Sequence, residues 1–166
     1  MQTALVLFFA GGALLLDFQR EKNPNSFICL AWGTGVLVWF FQRTEGLGEL
    51  LGGICLPILC LIPLFRFHML GAGDIKLFSA LGGIMGPVHI LWCIWYAFLT
   101  GGLLSLAILI LCGGFSQRIQ YLVKYMKTYI RTGERKAYYR NGTAWENIHF
   151  TVPVFMSVML YAGGMY

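Results

Sequence analysis

The chain has 166 residues, of which 58% are hydrophobic and only 11% charged, with a formal net charge of +5. An ordinary soluble domain carries about 25% charged residues, so this composition places the chain in a membrane and argues against a soluble enzyme or binding module. The length allows one membrane-embedded domain, taken as 1–166, and leaves no room for a separate soluble domain of about 100–150 residues.

Six apolar stretches follow in chain order: Ala4 to Leu16, Phe27 to Phe41, Leu47 to Phe65, Ile75 to Met85, Val88 to Cys112 and Ile148 to Met165, separated by breaks rich in Gly, Pro and charge. They predict an all-α, polytopic integral membrane protein, a six-transmembrane-helix bundle. Several stretches are shorter than the roughly 20 residues that cross a hydrocarbon core unaided, so some draw on flanking residues or pack inside the bundle. The first has no Lys or Arg before it and no small-x-small site after it, and reads as a retained helix rather than a cleaved secretion signal. In the fourth, Ser79, Gly82, Gly83 and Gly86 have the spacing of small residues that lets helices pack closely.

The five cysteines, Cys29, Cys55, Cys60, Cys93 and Cys112, all fall in apolar stretches without C-x-x-C spacing. They are expected to be buried, inert thiols rather than zinc ligands or a disulfide framework. His68, His89 and His149 are scattered without ligand spacing, so no metal and no other cofactor is expected.

Lys and Arg are enriched in cytoplasmic connections, and their distribution here is lopsided. Eleven of the twelve lie in or beside the first, third and fifth connections: Arg20, Lys22, Arg66, Lys76, Arg118, Lys124, Lys127, Arg131, Arg135, Lys136 and Arg140. Only Arg43 is opposite, in a connection that also holds Glu45 and Glu49. Both termini are therefore expected outside, with the odd-numbered connections in the cytoplasm. The fifth connection, a basic loop at about 116–147, places Ile119, Leu122, Val123, Met126 and Ile130 at helical spacing among its charges, and is expected to lie on anionic membrane lipid. Its charges are not interleaved in a nucleic-acid-binding pattern, and no nucleic-acid partner is expected.

The chain has two aspartates, Asp17 and Asp74, and each sits at the cytoplasmic edge of an apolar stretch. A carboxylate at the centre of a membrane helix costs about 2.5–3.5 kcal/mol, so one retained near the bilayer faces a cavity or a partner. The 13 residues from Asp74 to Gly86 span about 20 Å of a roughly 30 Å core, which sets Asp74 below the cytoplasmic boundary if the far end reaches the outer one. Ala10 and Ala13, seven and four residues before Asp17, give the first helix a face that a neighbour can approach closely. Gly71 and Gly73 permit an unusual backbone ahead of Asp74. Lys76 lies about 200° around a helix from Asp74 and is expected to snorkel to the interface, without a catalytic role. Glu45 and Glu49, on the outer side, are poor catalytic candidates.

The run Gly71-Ala72-Gly73-Asp74-Ile75-Lys76-Leu77 resembles the G-x-G-D-x-K-L motif of the type IV prepilin peptidases. Asp17, followed at seven and eight residues by Pro24 and Asn25, resembles their second motif, with Asn23 where the family has Ile. The resemblance implies six membrane helices and an aspartyl endopeptidase of the bacterial cytoplasmic membrane with Asp17 and Asp74 as its catalytic pair. It also implies a prepilin or pseudopilin substrate, cut after a short basic leader. Long members of the family carry paired C-x-x-C motifs in an extra cytoplasmic region and also methylate the new N-terminus. This chain is similar to the short, peptidase-only members associated with tight-adherence (Flp) pili, which implies cleavage without methylation.

Two carboxylates sharing a site do not both ionise cheaply, so one acts as base toward water while its protonated partner supports the developing oxyanion. A non-enzymatic proton-coupled transporter or assembly protein would also use a membrane Asp pair, but without peptide cleavage. Intramembrane proteases with a G-x-G-D core are a further alternative, against which Pro24 and Asn25 count. Neither the particular pilin nor the oligomeric state is specified by these residues.

Overall fold

In the computed structural model, which describes residues 2–20, 25–42, 46–66, 69–111, 120 and 150–166, the regular structure is entirely helical. The helices are α1 (Gln2–Arg20), α2 (Asn25–Gln42), α3 (Leu47–Arg66), α4 (Ala72–Met85), α5 (Pro87–Leu111) and α6 (Thr151–Ala162). Each predicted apolar stretch overlaps one of them. The basic loop at 116–147, with its amphipathic pattern, lies outside the described residues apart from Gln120. Two segments, Leu47–Arg66 and Pro87–Ile108, are long and apolar enough to cross a membrane, while α1, α2 and α6 are shorter apolar helices.

The helix ends follow local chemistry. Glu49 in the first turn of α3 and Arg66 in its last complement the helix dipole. Between α4 and α5, Gly86 takes φ 83°, a conformation that strains any residue with a Cβ, and donates its N–H to the Gly82 carbonyl at 2.9 Å. Pro87 then opens α5, where a missing N–H costs nothing and the fixed φ suits the first turn. Gly86 is thus a helix stop, and no described atom lies within 4 Å of where its Cβ would be. Its expected packing role belongs to Ser79, Gly82 and Gly83. Helix α6 stops short of Met165 because Gly164, at φ 76°, turns the chain back and Met165 N–H bonds to Leu160 O at 3.2 Å.

The chain divides into two compact units, Met1–Gly101 with His149–Tyr166, and Gly102–Ile148. In the first, α4 is the innermost helix: Ile75, Leu77, Phe78, Ser79, Ala80, Leu81, Gly82, Ile84 and Met85 are all buried. It packs on α1, α2 and α3, while α6 packs on α1. Being covered on all sides, α4 keeps its 14 residues in a setting that does not require a full crossing.

Packing around α4 depends on backbone meeting backbone. A Cβ on Gly53 of α3 would fall on the Gly82 carbonyl, and one on Gly82 would fall on the Gly53 carbonyl. Pro57, four residues after Gly53, has no N–H to offer that carbonyl, which leaves it turned toward α4. Ser79 fastens the same pair by donating to the Ile54 carbonyl at 3.0 Å. On α2, a Cβ on Gly35 would lie 3.1 Å from the Gly83 backbone.

The outer surface is apolar. Phe8, Phe41, Leu59 and Trp95 are more than half exposed, among many other large hydrophobic side chains. Such a surface is a liability in water and suits lipid. The cysteines correct the expectation of burial: Cys29, Cys55 and Cys60 are exposed and only Cys93 is buried among those described. In a membrane protein an apolar neighbourhood marks the lipid face as readily as the interior, so burial does not follow from it.

Candidate active site

Asp74 is the third residue of α4, after the N-cap Gly71, where a carboxylate is favoured by the helix dipole. Gly71 has φ −76° and ψ 148°, extended backbone open to any residue. What the glycine gives is room: a Cβ there would lie 3.2 Å from Asp74 Oδ2, a tight contact that places the carboxylate close to its own N-cap. Asp74 is half-buried.

Asp17 lies in the last turns of α1 and is also half-buried. Ala10 and Ala13, on the face leading to it, are fully buried as their spacing implied. Asp17 Oδ2 accepts a hydrogen bond of 2.5 Å from the hydroxyl of Thr151, the first residue of α6. Thr151 is itself buried. No sequence pattern points to this partner, which is 134 residues away.

A chain of contacts connects the two aspartates' surroundings. Phe78 is one turn after Asp74 on the same face of α4, and its ring meets Phe150 with centroids 6.2 Å apart. Phe150 immediately precedes Thr151, which holds Asp17. The end of α1, the start of α4 and the start of α6 therefore gather at one end of this unit.

The start of α2 joins them. Lys76 Nζ donates to Asn25 Oδ1 at 3.1 Å, connecting the G-x-G-D-x-K run to the residue after Pro24. Lys76 is exposed, and its separation from Asp74 around α4 turns it toward α2, where Asn25 sits at the first position. Glu49 lines a small cleft with Trp39, Gly83 and Gly86 at the opposite end of these helices. Among the described residues, no three His, Cys, Asp or Glu side chains converge as metal ligands would.

A model of the type IV leader peptidase family matches residues 4–106, more than half of the chain, and this span includes Asp17, Asn25, Asp74 and Lys76. Thr151 lies beyond it. No curated protein and no solved structure matches the chain.

Proposed function

The chain belongs to the type IV leader peptidase family, and on that premise we propose that it is a membrane aspartyl endopeptidase that removes the basic leader from prepilins or pseudopilins, with Asp17 and Asp74 as its catalytic pair. The observation that carries this reading is the meeting of helix ends: the chain's two aspartates stand on packed helices, half-buried, at the end where both motif segments gather.

In this reading one carboxylate takes a proton from water as the water attacks the scissile carbonyl, and the protonated partner donates to the developing oxyanion. The tetrahedral intermediate then collapses, the C–N bond breaks and the proton taken from water passes to the leaving amine. The two act as a unit, so the proton belongs to the pair. The substrate's hydrophobic helix lies in the bilayer beside the protein, and its leader reaches the site from the cytoplasm. The reaction ends at cleavage, without methylation.

The six helices form a six-span bundle with the aspartates toward the cytoplasm, as the eleven basic residues of the odd connections imply. Single cysteines placed at positions 131–140 should resist an impermeant thiol reagent added to intact cells and react after the membrane is opened. Labelling from outside would reverse the orientation and put the aspartates on the wrong side for prepilin processing. The activity itself is tested by co-expression with a prepilin carrying a basic leader and Gly before the scissile bond, read as a size shift on a gel. An unshifted prepilin beside abundant, inserted protein would count against the reading.

A further inference from the structure

Two threonines within the described helices place their hydroxyls on carbonyls of their own helix. Thr34 donates to the Ala31 carbonyl at 2.8 Å and Thr100 to the Tyr96 carbonyl at 2.8 Å, both within their own helices. This is the ordinary outlet for a threonine in an apolar setting. Thr151 is different. It is the first residue of α6, and its hydroxyl leaves its own helix to donate to Asp17 Oδ2.

The geometry suits a purpose beyond packing. A separation of 2.5 Å is that of a hydroxyl donating to a carboxylate, the stronger, charge-assisted kind of hydrogen bond. Thr151 is only 1% exposed, so water does not compete for the bond. Its own position is fixed from two sides: Phe150 is held between the rings of Phe78 and Phe98, and Pro153 lies against Gly101 of α5. Asp17 stands near the C-terminal end of its helix, where the dipole disfavours a carboxylate, and the start of α6 supplies the opposite pole.

We propose that Thr151 is a positioning residue for catalysis, holding the Asp17 carboxylate in one rotation so that it faces water and substrate correctly. The inference rests on the peptidase reading and adds to it a residue on α6, outside the span matched by the family model. Thr151 makes no bond to substrate. It acts on the terminal torsion of Asp17, which is intrinsically broad. Misplacing a reacting group by about 1 Å costs on the order of 10²-fold in rate.

The test uses the full chain in proteoliposomes with a tagged prepilin bearing a basic leader and Gly before the scissile bond. Thr151→Val, which keeps the shape and removes the donor, should lower kcat by roughly 10- to 100-fold with KM changed less than about threefold. Thr151→Ser should recover kcat to within a few-fold of wild type. Near-wild-type kcat in Thr151→Val overturns the proposal, as does a Thr151→Ser protein as slow as Thr151→Val. If Thr151→Val does not insert stably, Thr151→Ala against Thr151→Ser makes the same comparison. Asp17→Asn in the same assay separates the two claims: a dead Asp17→Asn with a normal Thr151→Val removes the positioning role alone, whereas an active Asp17→Asn removes the peptidase pair beneath it.

Discussion

Asp74→Asn should lower prepilin cleavage by roughly 10²- to 10⁴-fold or more, the range set by removing a general acid or base. Asp17→Asn should do the same, and the double variant should be hardly slower than either single one. That non-additivity is the signature of two groups working as one machine. The folded protein should persist in all three. In Asp17→Asn the amide oxygen still accepts from the Thr151 hydroxyl, and in Asp74→Asn the amide fits the space that Gly71 leaves open. Cleavage rates measured beside the abundance of inserted protein separate chemistry from collapse. Multiplying defects in the double variant would mean two independent contributions rather than a pair.

The second large effect is structural. Gly82→Val should destabilise the protein by roughly 3 kcal/mol or more, because its Cβ meets the Gly53 carbonyl, which is backbone in a packed helix and has nowhere to move. The expected result is early loss of the compact species on thermal or detergent-denaturant titration, with cleavage lost in parallel. Gly33→Ala is the comparison: Gly33 is exposed on α2 with no described atom within 4 Å of its Cβ, so alanine should be neutral or slightly stabilising. A Gly82→Val protein as stable as Gly33→Ala would refute the close approach of α3 and α4.

Much of the fold was legible because its helices are written as apolar runs punctuated by Gly, Pro and charge. Gly86-Pro87 is the clearest case, a helix stop followed at once by a helix start. The short fourth stretch was legible as unable to span alone, but burial on every side of α4 comes from three neighbouring helices that no local pattern reveals. Of the site, the matching motifs led to Asp17 and Asp74. The helical angle separated Lys76 from Asp74, yet it gave no means of finding Asn25 as its partner across α2. Thr151 was invisible for the same reason: a lone threonine at the head of an apolar run has no signature, and only the packing of α6 on α1 brings it to Asp17. The lipid-facing cysteines are the reverse case, since composition does not distinguish a surface solvated by hydrocarbon from a core.

The activity proposed for this chain is peptide-bond hydrolysis without a further protein. Its most direct test combines the purified protein in proteoliposomes with a purified prepilin and reads the intact masses of the products. Two fragments are expected, the free leader and a pilin beginning just after the cleavage site with an unmodified amino terminus, formed by wild type and not by Asp17→Asn or Asp74→Asn. An intact prepilin after incubation with folded wild-type protein would contradict it, and so would the same fragments formed by both aspartate variants.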